Sequence, residues 1–151
     1  LKARWQKDAI DMKPDLLSIL IGVNDVSRGG GKSVPLDRWE TDYRFILDAS
    51  RKADAGLPLV LLDPFVLRSG RLKNETAWEH WRGEVDKLRA IVAQLAKDYD
   101  AIHVKTQEVF DAAAKAVSPE HWIWDGVHPL PQGHELIARN WLQQVSGRFS
   151  K

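Results

Sequence analysis

Three short apolar runs alternate with stretches whose apolar residues recur every three to four positions. Asp15 to Gly22 and Leu57 to Pro64 are nearly continuous in Leu, Ile and Val, as expected of strands buried on both faces of a parallel sheet. Asp100 to Val104 is shorter and more polar, as an edge strand would be. Leu1, Trp5, Ala9 and Met12 predict an amphipathic helix, which Pro14 ends. Pro35 suits the first turn of a second helix, with Leu36, Trp39, Tyr43, Ile46, Leu47 and Ser50 on one face and Gly56 beyond its end. Trp81, Val85, Leu88, Val92 and Leu95 mark a third helix over 78–99. Thr106 is expected to cap a fourth through Ala116, and Pro131 opens the last, reaching about Gly147. The segment from Pro64 to Ala77 reads as a long polar connection able to carry site residues or a lid.

Strands alternating with helices predict an α/β layer fold with a parallel sheet, in one domain over 1–151. In such sheets ligands sit beyond the carboxyl ends of the strands. Composition narrows the functions. With 22 Lys and Arg against 21 Asp and Glu, the net charge of +1 offers no field for a polyanion, so nucleic acid is not an expected partner. The absence of Cys removes disulfides, thiolate catalysis and Cys-ligated zinc, and suits a reducing, cytoplasmic setting. No apolar run reaches the roughly 20 residues that cross a bilayer, so a soluble chain without a membrane span is expected.

Two polar clusters fall at the predicted rim. Gly22-Val23-Asn24-Asp25 follows the first strand; Gly22 allows close backbone approach, and Asn24 can present an uncharged amide donor of the kind that stabilises an oxyanion. The same tetrapeptide also reads as a turn whose side chains bond their own backbone. Trp124-Asp125-Gly126-Val127-His128 is the second cluster. A carboxylate three residues before an imidazole can hold one ring nitrogen and leave the other as a general base. An Asx turn in a solvated loop is the plain alternative. A metal site joining Asp125, His128, His121 and His134 is a more distant one. His80 and His103 read as surface and strand residues without partners.

Together, Leu17-Ser18-Ile19-Leu20-Ile21-Gly22-Val23-Asn24-Asp25 and Asp125-Gly126-Val127-His128-Pro129 with Gly133-His134 resemble two conserved blocks of the SGNH (GDSL-type) hydrolases. The resemblance implies a flavodoxin-like three-layer α/β/α sandwich and serine-dependent hydrolysis of esters, of short acyl chains or acetylated carbohydrate, without a cofactor. Asn24 would be the oxyanion donor, His128 the base and Asp125 its partner, with Gly22, Trp124 and Val127 lining the substrate. The family's Gly-Asp-Ser block, which carries the nucleophile, has no counterpart here, and the chain reads as a partial, N-terminally truncated member. Ser18 lies in a strand, Ser50 on a helix, Ser146 and Ser150 near the C-terminus; Ser27 and Ser33 are near Asn24 but in no strand-to-helix elbow. An exposed sheet edge is therefore expected to recruit a second copy or a complementing fragment. A catalytically inactive remnant serving binding or assembly is the competing function.

Overall fold

The structure, a computed structural model, describes residues 1–149; Ser150 lies outside them. In chain order the elements are α1 (Trp5–Asp8), β1 (Leu17–Leu20), α2 (Val23–Arg28), α3 (Leu36–Ala53), β2 (Leu59–Leu62), α4 (Glu75–Asp98), β3 (Ile102–Val104), α5 (Thr106–Ala116), α6 (Pro119–Trp122) and α7 (Pro131–Phe149). The strands form one parallel sheet in the order β1-β2-β3, with Ile19 opposite Leu61 and Leu61 opposite His103.

Successive strand residues point to opposite faces, and that alternation divides the core. Ile19, Leu59 and Leu61 meet Tyr43, Ile46 and Leu47 of α3 and Val85, Leu88 and Val92 of α4. Val60, Leu62 and Val104 face the other way, onto Val145, Ile137 and Trp141 of α7. The result is the expected α/β/α sandwich, with β2 buried along its whole length.

Several expectations change. Residues 1–12 are not one helix: 3-10 turns at Lys2–Arg4 and Ile10–Met12 flank α1, because Ala9 leaves helical geometry (φ −129°, ψ −60°) and Lys13 is left-handed (φ 49°). β1 is not buried on both faces. It is an edge strand, with Leu20 42% exposed, and Trp141 Nε1 reaches only as far as the Ser18 hydroxyl (3.0 Å). Thr106 does not cap α5; its hydroxyl donates back to Val104 O at 3.3 Å. Most consequential, the start of the Pro64 to Ala77 connection is interior. Phe65, Val66, Leu67, Ser69 and Leu72 are buried there. The Gln107 side chain serves Val66 as a neighbouring strand would, accepting from its N–H and donating to its carbonyl, both at 2.9 Å.

His103 is also not alone. Its Nε2 lies 2.6 Å from Asp63 Oδ1, and the other Asp63 oxygen accepts from Arg89 Nε at 3.1 Å. Asp63 is 1% exposed, so its charge depends on those two partners. Truncation at Asp63 takes an acceptor from both His103 and Arg89, although Arg89 keeps Asp86 at 2.7 Å, whereas truncation at His103 leaves Asp63 paired with Arg89. We predict that Asp63→Ala lowers unfolding free energy by about 1–3 kcal/mol, the cost of partners left short of a buried acceptor, and His103→Ala by clearly less. Urea denaturation measures both, and equal losses would refute this division.

Candidate active site

The loop between α6 and α7 is closed on itself before any side chain contributes. Ile123 bridges Pro129, Leu130 N–H donates to Trp122 O at 2.9 Å, and Gly126 makes the bend at φ +95°. This closure brings Asp125 and His128 together. Asp125 Oδ1 accepts the backbone N–H groups of Val127 (3.0 Å) and His128 (2.8 Å), and Oδ2 lies 2.8 Å from His128 Nδ1. The Asx turn and the orienting carboxylate are thus one residue, one oxygen for each task.

Burial by itself would raise the Asp125 carboxyl, but the His128 amide, the His128 ring and the Val127 amide outweigh it and hold the pKa at about 2. An ionised carboxylate only accepts, so Nδ1 carries the proton and Nε2 is the basic nitrogen. The His128 side chain is 64% exposed, and among the described residues Nε2 has no hydrogen-bond partner. Trp124, 59% exposed, stacks beside the imidazole at 6.4 Å and 25°.

The loop is held from behind by the segment after β2. Leu67 N–H donates to Gly126 O (3.0 Å) and the Ser69 hydroxyl to Ile123 O (2.5 Å). Gly70, left-handed at φ +48°, lets this segment approach so closely that a Cβ there would stand 2.5 Å from Asp125 Cα. Across the same interface a Cβ on Gly126 would stand 2.5 Å from Leu72 Cγ. Arg71 completes the turn, with Nη2 3.9 Å from Asp125 Oδ2. Sequence reading missed Ser69, Gly70 and Arg71. Ser-Gly signals a turn, but nothing local says which loop the turn holds.

Of the other expected site residues, Asn24 lies exposed in the first turn of α2 and makes no hydrogen bond among the described residues. Asp25 does not bond its own turn; its Oδ2 accepts from Trp39 Nε1 at 3.1 Å. Gly22 is buried at φ +124°, where a Cβ would press on Leu88, Pro64 and Trp39, so its visible role is close packing. Val127, expected to line substrate, is 7% exposed and belongs to the core; it faces the site only through its N–H. No hydrogen bond joins Asn24 to His128. The segment after β2 touches both neighbourhoods, with Pro64 against Gly22 and Leu67 N–H on Gly126 O.

Among the described residues, no group of three or more His, Asp or Glu side chains is placed to hold a metal ion, so His121 and His134 do not join Asp125 and His128 in a ligand set. His121 instead packs edge-on against Trp122 at 4.8 Å. Nor does any described serine bond His128. The Ser18 and Ser50 hydroxyls are engaged with Trp141 and Trp5, and Ser69 with Ile123.

An ordinary aspartate titrates near 3.8, so the folded state of Asp125, at about 2, binds protons less tightly than the unfolded chain. The resulting stability, about 2 kcal/mol, is fully present above pH 4 and is lost as pH falls through 2. The stability difference between wild type and Asp125→Asn is therefore expected to shrink between pH 5 and pH 2.5 in urea titrations. A difference unchanged with pH would contradict this.

A model of the GDSL-like Lipase/Acylhydrolase family matches residues 1–136. An acetylxylan esterase of Geobacillus stearothermophilus is 34% identical over 96% of this chain and 65% of its own length. A GDSL-like lipase candidate from Parabacteroides merdae superposes with a TM-score of 0.87 at 33% identity, over 97% of this chain and 66% of the other. A crystal structure of an acetylxylan esterase from Geobacillus stearothermophilus superposes with a TM-score of 0.79 at 32% identity, over 95% and 65%. The chain thus spans just under two thirds of the length of these relatives. The likeness extends through the sheet and its flanking helices, and the fold is flavodoxin-like.

Proposed function

The chain belongs to the GDSL-like lipase/acylhydrolase family, and we propose that it serves the hydrolysis of carboxyl esters, with an acetylated carbohydrate such as acetylated xylan as substrate. The observation that carries this reading is the 2.8 Å contact between an ionised Asp125 and His128 Nδ1, with Nε2 open. In the proposed reaction His128 Nε2 takes the proton of a serine hydroxyl as its oxygen attacks the ester carbonyl. The Asn24 amide donates to the resulting oxyanion, and Asp125 stabilises the imidazolium. His128 then gives its proton to the departing sugar oxygen, and a water activated in the same way releases acetate. Trp124 offers a sugar ring an exposed flat face beside the base.

The nucleophile is proposed to arrive on a strand that pairs with the open edge of β1, from a second copy or a complementing fragment. The edge position of β1 and the exposure of Leu20 support this. The competing reading, an inactive binding or assembly module, is favoured by the absence of any hydrogen bond between a described serine and His128.

With 4-nitrophenyl acetate and acetylated xylooligosaccharides as substrates, His128→Ala is expected to lower kcat/KM by about 10³-fold or more. A fluorophosphonate probe is expected to label one serine, located by mass spectrometry. No turnover above background and no labelling would decide for the binding module. Light scattering is expected to show self-association that Leu20→Lys abolishes, since a charge on the open edge opposes strand pairing. A monomer at every concentration tested would end the homo-oligomer version.

A further inference from the structure

Three cations follow one another on the turn that holds the catalytic loop, and two are matched locally. Arg68 pairs with Glu75, and Lys73 with Glu120 at 2.6 Å. Arg71 has no such surface partner. Its guanidinium lies over the Trp81 ring, 5.1 Å from the centroid, and the carboxylate it approaches is Asp125, at 3.9 Å. The oxygen approached, Oδ2, is the one that holds His128 Nδ1.

We infer that Arg71 is a positioning residue for the Asp125–His128 pair, drawing on the charge of Asp125 so that His128 stays an available base. The inference rests on the role proposed for His128 above. At 3.9 Å the contact is too long for a hydrogen bond, so Arg71 acts by its field and does not replace His128 on Oδ2. An imidazole facing an undivided carboxylate holds its proton more tightly, and a base already protonated cannot take one from a hydroxyl. A cation beside the carboxylate opposes that.

The turn is built to deliver this charge to this place. The left-handed Gly70 brings its backbone against Asp125, and the guanidinium of the half-exposed Arg71 rests over the face of Trp81 at 5.1 Å. The remaining titratable groups on elements packed against the loop are engaged elsewhere or set apart. Lys73 and Glu120 satisfy each other, as do Arg68 and Glu75; His121 lies against Trp122, and His134 is exposed in the first turn of α7.

Ring-nitrogen NMR of the chain reads the titration of His128 directly and needs no turnover. At low ionic strength Arg71→Gln and Arg71→Met are expected to raise its midpoint by about half a unit, with Arg71→Lys close to wild type. At about 1 M salt, where the Debye length falls to about 3 Å, the three variants are expected to converge. The Val127 and His128 amide signals are expected to stay in place, showing that the loop itself is intact. Identical midpoints in wild type and both neutral variants would overturn the inference. So would a shift equally large in Arg71→Lys, or one accompanied by displaced loop amides. Absence of hydrolysis in every variant would refute the ester reading while leaving this titration to decide on Arg71.

Discussion

The structure turns on one backbone interlock. The segment after β2 lies under the loop that carries Asp125 and His128, joined by Leu67 N–H to Gly126 O, the Ser69 hydroxyl to Ile123 O, and two glycines without room for a side chain. Asp125 then gathers three donors with two oxygens. The geometry of the acid–base pair is therefore inherited from main-chain contacts, which have few ways to relax. The same segment also touches Gly22 through Pro64.

Two Asp–His pairs occupy this small domain, and their surroundings separate their roles. In the Asp63–His103 pair the carboxylate is interior, both its oxygens are spent on the imidazole and on Arg89, and α4 covers it. That pair ties β2, β3 and α4 together. In the Asp125–His128 pair the carboxylate is likewise sheltered, but the imidazole stands half in solvent with one nitrogen unoccupied. The His128 side chain is 64% exposed against 20% for His103, so the second pair is the one open to a ligand. Contact distance does not distinguish them; the exposure of the imidazole does.

Among the described residues β1 and β3 are the two edges of the sheet. β2 is covered on both faces and both edges, whereas β1 has one neighbour and exposes Leu20 beside a polar Ser18. An edge with unpaired backbone groups and an exposed leucine has a reason to find a partner, and it borders the rim that carries Asn24.

Periodicity made the three strands and the helices α3, α4, α5 and α7 legible, but not α2 or α6. The apolar runs around 17–20 and 59–62 became strands, and the spacing of Trp39, Tyr43, Ile46 and Leu47 or of Val85, Leu88 and Val92 became helix faces, because burial follows the period of the backbone. The Asp125–His128 pair was legible for the same kind of reason: three residues and a glycine bend suffice to close it. Long-range partners were not legible. That Asp63 meets His103, that Gln107 serves Val66, and that the turn at Gly70 and Arg71 lies against Asp125 depend on contacts across 40 or more residues. Likewise, Val127 looks like a site residue in sequence and becomes core once the loop folds inward. Local spacing dictates what a residue can be; tertiary structure decides what it faces, because facing is settled by packing between segments that carry no mark of one another in the chain.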